Sequence, residues 1–369
     1  MSKLDEKKKM GLQEIIFGVL SLTAFVLILY RSDIAIEYMK KGLRLCTVTV
    51  IPSLFPFMII SELIIKNIAA YKVGRVLRRP MSFLFGTSEV GGCAFIFGAL
   101  CGFPIGARTA ALAYDCGHIS KEEFSRLLCF CNNPGSAFVI SAVGVSLLGS
   151  KKLGILLYAC VILSSIIVGI FLNIFFGGRS IEENSSRSLP LYNNDVITTF
   201  TSAVGSSAIT MLTVCAYVVF FGALMGCIED VLISISAPNI LSTLIFGLFE
   251  MTGGVSAAAN INDINMALIL CAAFLAWSGI SVHCQIIAIC SGRGLSYKKY
   301  FISKAAQGVI CALLTGISIK FLFPDIIPVT DDVFMNGGTH VATFSSTVSC
   351  FSFFFASFLG VIIGRKANS

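Results

Sequence analysis

Four short polar motifs interrupt long apolar stretches of this sequence and carry side chains that could bind a ligand. They occupy residues 102–109 (GFPIGART), 132–135 (NNPG), 250–254 (EMTGG) and 278–285 (SGISVHCQ). Arg108 in the first motif can hold a carboxylate through two parallel hydrogen bonds. Pro and Gly favour a break in a helix, and a broken helix exposes backbone N–H groups that attract anions. The motifs therefore predict a small-molecule site that suits an organic anion.

The charged groups in these motifs also have structural interpretations, which the sequence leaves open. Arg108 could bind substrate, or it could form an ion pair with Glu62, Glu89 or Glu250. Glu250 could bind a coupling proton or cation, or it could pair with Arg108. An ionisable side chain inside a membrane usually has a partner or a function, so both alternatives remain.

The amide and imidazole groups leave a similar choice. Asn132 and Asn133 could bind a polar substrate or satisfy backbone groups that the break frees. His283 could relay protons or be a hydrogen-bonded structural residue. Glu250, His283 and Glu62 are the candidates for coupling to a proton or ion. The predicted substrate-binding residues are Gly102, Pro104, Gly106, Arg108, Thr109, Asn132, Asn133, Gly135, Glu250, Thr252, Gly253, Gly254, Ser278, Gly279, Ser281 and Gln285.

No pattern in the sequence is typical of an enzyme or of a metal site. Ser281 and His283 do not form a nucleophile elbow, and phosphate-loop and metalloprotease motifs are absent. Cys129 and Cys131 have the wrong spacing for a zinc site. We therefore expect no catalytic residue, no cofactor and no metal.

The composition requires a lipid environment. Of the 369 residues, 56% are hydrophobic and 13% are charged, and the mean hydropathy is +0.88. Soluble domains carry about 25% charged residues, so a water-exposed surface cannot be built from this inventory. This excludes a soluble enzyme, a nucleic-acid-binding protein and a disordered scaffold. The net charge of +7 is explained by cytoplasmic loops.

The hydropathy pattern predicts an all-α polytopic membrane protein with about eight transmembrane helices and two re-entrant hairpins. Each span has about the 20 apolar residues that cross the hydrocarbon core. The hairpins, at 86–114 and 238–258, are each broken near the middle by glycine. The predicted spans are 12–30, 47–65, 123–148, 153–176, 208–227, 265–291, 301–323 and 345–364.

The distribution of charge predicts that both termini lie in the cytoplasm. In this topology the cytoplasmic segments carry 18 of the 27 Lys and Arg residues and the outer segments carry six. In this topology the basic segment 31–46 lies on the outer side of the membrane, against the charge rule. The spacing of its apolar residues predicts an amphipathic helix on the membrane surface.

The order of features predicts two inverted repeats. Each half contains a span, a hairpin, a broken span, a Lys-Lys pair and a further span, and the two hairpins enter from opposite sides. Inverted repeats with broken helices are typical of secondary transporters. The predicted organisation is an N-terminal helix and amphipathic segment (1–46), the first repeat (47–176), a polar linker (177–195), the second repeat (196–323), and an acidic loop with a C-terminal helix (324–369).

Four segments in this order resemble the sporulation integral membrane proteins of the YlbJ/SpoVV type, within the nucleoside-recognition Gate domain superfamily. They are GFPIGARTAAL, HISKEEFSRLLCFCNNPGSAFVISAVG, FEMTGG and WSGISVHCQ, and the resemblance covers roughly residues 12–364. It implies a fold similar to the concentrative nucleoside transporters. It also implies transport of dipicolinic acid from mother cell to forespore, across the outer forespore membrane, during endospore formation.

Three functions remain distinct at this point. The first is a secondary transporter or facilitator of a small organic anion, with dipicolinate as the substrate that the resemblance implies. The second is a transporter of a nucleoside or another metabolite. The third is a non-transporting membrane component of spore assembly. Expected partners are the substrate and the lipid bilayer, with no nucleic acid; a homo-oligomer or other sporulation membrane proteins are further possibilities.

Overall fold

The structure, a computed structural model, describes residues 3–67, 69–176 and 195–322. These residues belong to one compact unit, Met1–Pro324. The predicted linker, except for Asp195, and the predicted C-terminal span 345–364 lie outside the described residues.

Every regular element in the described residues is helical. Two π-helical segments, Cys46–Val50 and Phe138–Leu147, accompany the α-helices. The α-helices are α1 (Lys3–Tyr30), α2 (Ser32–Leu45), α3 (Ile51–Ile65), α4 (Ala69–Phe85), α5 (Glu89–Cys101), α6 (Ile105–Asp115), α7 (Lys121–Leu128), α8 (Lys151–Phe176), α9 (Val196–Ser234), α10 (Asn239–Phe249), α11 (Met251–Ala259), α12 (Ile264–Trp277), α13 (Gly279–Cys290) and α14 (Lys298–Leu322).

Long apolar helices confirm a polytopic membrane protein. Within the described residues, five helical stretches are long and apolar enough to cross a membrane, and a sixth qualifies if the end of α4 and α5, which meet at 88°, count as one bent span. Large apolar side chains such as Phe17 and Val196 are exposed on the outside, as lipid-facing residues are. The predicted number of eight spans and the inverted symmetry stay predictions.

The basic segment 31–46 continues directly into the next predicted span. Helix α2, the first π-segment and α3 form one helical stretch, Ser32–Ile65. One face of α2 packs on α9, where Gly42 allows its backbone to approach Val219 closely. Arg31 pairs with Asp230 at 2.8 Å, and the Tyr38 hydroxyl donates to Glu229 at 2.6 Å. The sequence pattern could not anticipate this packing, since the acidic partners are almost 200 residues away.

Short helices occupy both predicted hairpins. Helices α5 and α6 are separated by residues 102–104, and α10 and α11 are separated by Glu250 alone. Gly102 has a φ of +88°, a conformation that glycine adopts without strain. These helices have nine to 13 residues, or roughly 14 to 20 Å at 1.5 Å per residue, which is too short to cross a 30 Å core. Their depth in a membrane stays a prediction.

Two predicted spans are interrupted, as expected. Residues 129–135 are non-helical between α7 and the helical residues that follow. Helices α12 and α13 are separated at Ser278, which has a left-handed φ of +82°, and Gly279 follows with a φ of +75°. A non-glycine residue in that region is strained and persists only where packing enforces it.

Candidate functional site

In the first half, the tip of the hairpin lies directly against the interrupted helix. A Cβ atom added to Gly102 would lie 2.5 Å from the backbone nitrogen of Gly135, and one added to Gly135 would lie 2.9 Å from the carbonyl oxygen of Cys101. Ser136 also donates to the carbonyl of Leu100 at 3.2 Å. The structure therefore brings the predicted site residues Gly102 and Gly135 into backbone contact that no side chain could share.

A second pair of glycines supports the same junction. Gly98 of α5 and Gly106 of α6 both face the carbonyl oxygen of Cys131, and a Cβ on either would overlap it. A carbonyl inside the break thus inserts between the two hairpin helices. The predicted site residue Gly106 serves this close approach, and Pro104 is the buried residue that precedes α6.

In the second half, the other hairpin meets the other interrupted helix in the same way. A Cβ on Gly279 would lie 2.9 Å from the backbone nitrogen of Met251 and 3.1 Å from the carbonyl oxygen of Phe249. Trp277 donates from its indole to the carbonyl of Leu248 at 3.1 Å. Each hairpin tip therefore contacts the break of a different helix, although the two halves share little sequence.

Glu250 caps a helix in this second junction. Its carboxylate accepts hydrogen bonds from the backbone N–H groups of Thr252, at 3.0 Å, and of Gly253. A carboxylate at a helix N-terminus is favourable because of these bonds and the helix dipole. The predicted residue Thr252 is exposed, and Gly254 packs against Gly247 of α10. Glu250 does not pair with Arg108, so that alternative is wrong.

All three nitrogens of the Arg108 guanidinium donate to protein groups. Its Nη2 pairs with the carboxylate of Glu62, its Nη1 donates to the carbonyl of Met58 at 2.8 Å, and its Nε donates to Thr210 at 3.2 Å. The hydroxyl of Ser206 bonds to both Arg108 and Glu62. Of the three carboxylates that the sequence offered as partners, Glu62 is the one that Arg108 uses.

Glu62 also neutralises a second cation. Lys66, one turn further along the chain, lies 2.6 Å from its other oxygen. The side chains of Arg108 and Glu62 are only 4% and 1% exposed, so two cations share one buried carboxylate. This cluster joins α3, α6 and α9, and it has a net positive charge.

Asn132 and Asn133 contact two residues that the sequence reasoning did not select. The Nζ of Lys304 donates to the backbone carbonyl of Asn132 at 2.8 Å and to Oε1 of Gln307 at 2.7 Å. The Nε2 of Gln307 donates to Oδ1 of Asn133 at 2.8 Å. All four residues are buried. A lysine six residues into an apolar helix was the signal that could have identified this cluster.

The Asn side chains themselves bond mainly to backbone groups. Nδ2 of Asn132 donates to the carbonyl of Leu128 at 3.1 Å, and Nδ2 of Asn133 donates to the carbonyl of Phe130 at 3.0 Å. Oδ1 of Asn132 is buried and has no hydrogen-bond partner among the described residues. The amides therefore satisfy backbone groups freed by the break, and one acceptor remains available.

His283 lies in an aromatic enclosure near this cluster. Its Nδ1 is 2.7 Å from the hydroxyl of Tyr300, and its ring makes edge contacts with Trp277 and Phe301. Its Nε2 has no hydrogen-bond partner among the described residues. The Tyr300 contact agrees with a structural role for His283, and its role as a proton relay stays a prediction.

Helices α6 and α13 pack against each other, and a salt bridge joins their C-terminal ends. Arg293, just after α13, binds Asp115 at the end of α6, with one N–O distance of 2.8 Å. Helix α6 has 11 residues and α13 has 12, or roughly 17 and 18 Å, about half of a 30 Å core. Both N-termini therefore lie on the same side of the pair, away from the loop that contains Arg293.

The first turns of these two helices lack side-chain caps. Neither Pro104 nor Ser278 caps its helix with a side-chain hydrogen bond. Apart from the partly exposed Ile280, both turns are buried, and the predicted residues Thr109, Ser281 and Gln285 are buried on the same helices. Uncapped helix N-termini carry a partial positive charge that suits an anion.

Comparison with known proteins identifies a sporulation protein as a relative. The chain is 29% identical over 339 residues to the sporulation integral membrane protein YlbJ of Bacillus subtilis (strain 168), and the match covers 82% of each protein. The predicted resemblance to the YlbJ type is thereby confirmed. No family model and no solved structure matches the chain.

Proposed function

We propose that this protein is a secondary transporter or facilitator of a small organic anion. The observation that carries the proposal is the pair of buried, uncapped helix N-termini of α6 and α13, each of which begins where a hairpin tip meets an interrupted helix. Two such dipoles side by side can stabilise carboxylate groups without a dedicated cation. Binding of the anion then needs no cationic side chain in the site. This agrees with the structure, in which Arg108 is already paired with Glu62.

The two junctions support an inverted-repeat transporter. Gly102 and Gly135 meet in the first half, and Gly279 meets the tip at Glu250 in the second half. Both halves thus use a hairpin and a broken helix in the same order. In transporters of this kind the substrate binds where the repeats meet near the bilayer midplane, and rocking of one repeat against the other alternates access. With both termini in the cytoplasm, the two hairpins would enter from opposite sides.

The proposed substrate is dipicolinate, a small aromatic dicarboxylate. Two features favour it: the YlbJ relative has a name that refers to sporulation, and the buried N-termini suit carboxylates. Phe103 and Trp277, each adjacent to a break, offer rings for stacking on an aromatic substrate. The corresponding location is the outer forespore membrane of a sporulating cell.

The test compares two isosteric substitutions of Ser281, the third residue of α13. In Ser281→Asp the protein supplies its own carboxylate to the exposed N–H groups, and in Ser281→Asn a neutral group of equal size stands there. We expect proteoliposomes containing the wild type to take up labelled dipicolinate saturably. Ser281→Asp should lose uptake, whereas Ser281→Asn should retain a substantial part of it.

The outcomes separate the alternatives. Equal uptake by the two variants, at equal amounts of protein in the membrane, would contradict an anion site at the N-termini. Inhibition of the wild type by a neutral nucleoside would favour a nucleoside transporter. No saturable uptake of any tested solute, with correctly inserted protein, would favour a membrane component without transport activity.

A further inference from the structure

Lys304 is the most unusual ionisable residue in the described part of the chain. It lies in α14, a helix apolar enough to cross a membrane, and its side chain is 0% exposed. No Asp or Glu contacts it within the described residues. A buried ammonium without an anionic partner is costly, so this environment favours the neutral amine.

The hydrogen bonds of Lys304 match the neutral form. Its Nζ has two acceptors, the carbonyl of Asn132 at 2.8 Å and Oε1 of Gln307 at 2.7 Å. A neutral amine has two N–H donors, whereas an ammonium has three. The third donor of an ammonium would be buried without a partner, which adds a further cost.

The titratable groups around Lys304 do not replace the missing anion. They are the thiols of Cys129 and Cys131, the thiol of Cys311 on α14 itself, and the imidazole of His283 on α13. Thiols and an imidazole without a nearby carboxylate provide no stable negative charge at neutral pH.

Several ionisable groups on the helices that pack against α14 bond to groups other than Lys304, and Lys121, Glu122, Lys151 and Lys152 are exposed. On α12 Cys271 contacts the carbonyl of Val255, and on α8 Cys160 contacts Ser318 and Tyr158 donates to the carbonyl of Ala99. On α7 Glu123 binds Ser88, and Arg126 donates to the carbonyl of Gly86. Among the described residues, the closed cluster therefore contains no carboxylate that could balance an ammonium at Lys304.

We propose that Lys304 is a proton-binding site, neutral in this conformation and protonated when the interrupted segment at 132–135 moves away. The carbonyl of Asn132 belongs to that segment, and Gln307 holds Asn133 of the same segment at 2.8 Å. Movement of the segment removes one acceptor from the amine and admits water, which solvates an ammonium. The proton comes from water on the side to which the segment opens, and closure releases it to water on the opposite side.

Proton binding at Lys304 is coupled to opening of the helix break by this geometry. Protonation stabilises the open segment, and closure expels the proton, because each state of the amine fits one conformation. For transport, which rests on the proposed function, this makes the movement of an anion dependent on a proton gradient.

The first test measures the pH dependence of unfolding of the full-length protein in detergent, by reversible SDS titration. A lysine that is neutral when folded gains a proton on unfolding, below the pH of about 10.4 at which an exposed lysine titrates. The folded protein therefore becomes more stable as the pH rises. For each unit by which the pH rises, the unfolding equilibrium constant of the wild type should fall by an extra factor of about ten compared with that of Lys304→Met, because only the wild type takes up a proton at Lys304 on unfolding.

Lys298→Met is the matched control because Lys298 is exposed on the same helix. It should keep the pH dependence of the wild type. If Lys304→Met and the wild type show the same pH dependence, Lys304 is charged in the folded protein and the proposal is overturned. A side-chain 15N NMR spectrum of the wild type at about pH 8 does not depend on the variant's folding. One neutral lysine amine is expected, and ammonium signals alone would also overturn the proposal.

The second test measures uptake of dipicolinate by proteoliposomes with and without a pH gradient. The gradient should accelerate the wild type and Lys298→Met several-fold, and Lys304→Gln should lose that acceleration. If the wild type takes up dipicolinate at the same rate with and without the gradient, proton coupling is refuted, even if the amine of Lys304 is neutral. Absence of all uptake counts against the proposed function instead, while the unfolding and NMR results still decide the protonation of Lys304.

Discussion

Replacing Glu62 with Gln should be among the most destabilising single substitutions in this protein. Glu62 is the shared carboxylate of Arg108 and Lys66, and its side chain is 1% exposed. The substitution keeps the volume of the side chain and removes only its charge. Arg108 is 4% exposed and keeps only neutral partners, while Lys66, at 12% exposure, can turn toward water.

The magnitude follows from the burial of the pair. Removal of one partner of a buried ion pair costs about 3–5 kcal/mol, because the other charge stays buried without compensation. This raises the unfolding equilibrium constant by a factor of roughly a hundred to several thousand. Arg108→Met should cost less, since Glu62 keeps Lys66 at 2.6 Å. In the double variant the loss should be smaller than the sum of the single losses, because no buried Arg108 charge then remains.

The assay is reversible unfolding of the purified protein in detergent, with Glu37→Gln as the matched control. Glu37 pairs with Lys41 at 2.7 Å, but the two side chains are 63% and 59% exposed, so the same chemical change there should have no measurable effect. Equal stability of Glu62→Gln and Glu37→Gln would show that the cluster is hydrated rather than buried. Strictly additive losses in the double variant would also refute the reasoning.

Two further predictions concern close packing and a loop residue. Gly106→Ala should strongly reduce the amount of folded protein in the membrane, because the added methyl group would overlap the carbonyl of Cys131. Gly205→Ala, on an open helix face, should not; a comparison of membrane-inserted yields checks this. Burial lowers the pKa of His118 from its usual 6.5 although its ring bonds to the carbonyl of Ile65. The unfolded state then binds a proton that the folded state excludes, so the wild type should lose stability from pH 6.5 to about pH 5. His118→Gln should lose less over the same range, and equal losses would contradict the burial of the ring.

Much of the fold could be predicted because the bilayer limits the possible structures. Apolar runs of sufficient length must be helical, since backbone groups in lipid need internal partners. The glycines and prolines at 102–106 and 132–135 predicted the positions of two breaks, and the Ser278–Gly279 pair lies at a third, as the structure confirms. The segment 31–46 was less predictable. Its amphipathic pattern shows that one side needs a partner, but it cannot distinguish lipid headgroups from α9.

The sequence identified the motifs that form the candidate site, but not the contacts that their side chains make. The sequence identified Arg108 as an ionisable residue near a hairpin tip, and it offered three carboxylates as partners. Which of them pairs depends on how α3 crosses α6, and the packing selects Glu62. The role of Glu250 could not be predicted either. It caps α11 because the local turn places its carboxylate next to the N–H groups of Thr252 and Gly253.

By itself, the sequence determined that this protein is surrounded by lipid, that it is helical, and where several of its helices break. These properties follow from hydropathy and from local backbone preference. Only the tertiary structure decided which broken ends meet, that Glu62 serves two cations, and that Lys304 lies against Asn132, which is 172 residues away in the chain. Such contacts depend on the crossing of helices whose surfaces are almost uniformly apolar. Hydropathy provides no information about which apolar faces pair, so small residues and a few buried polar groups determine it.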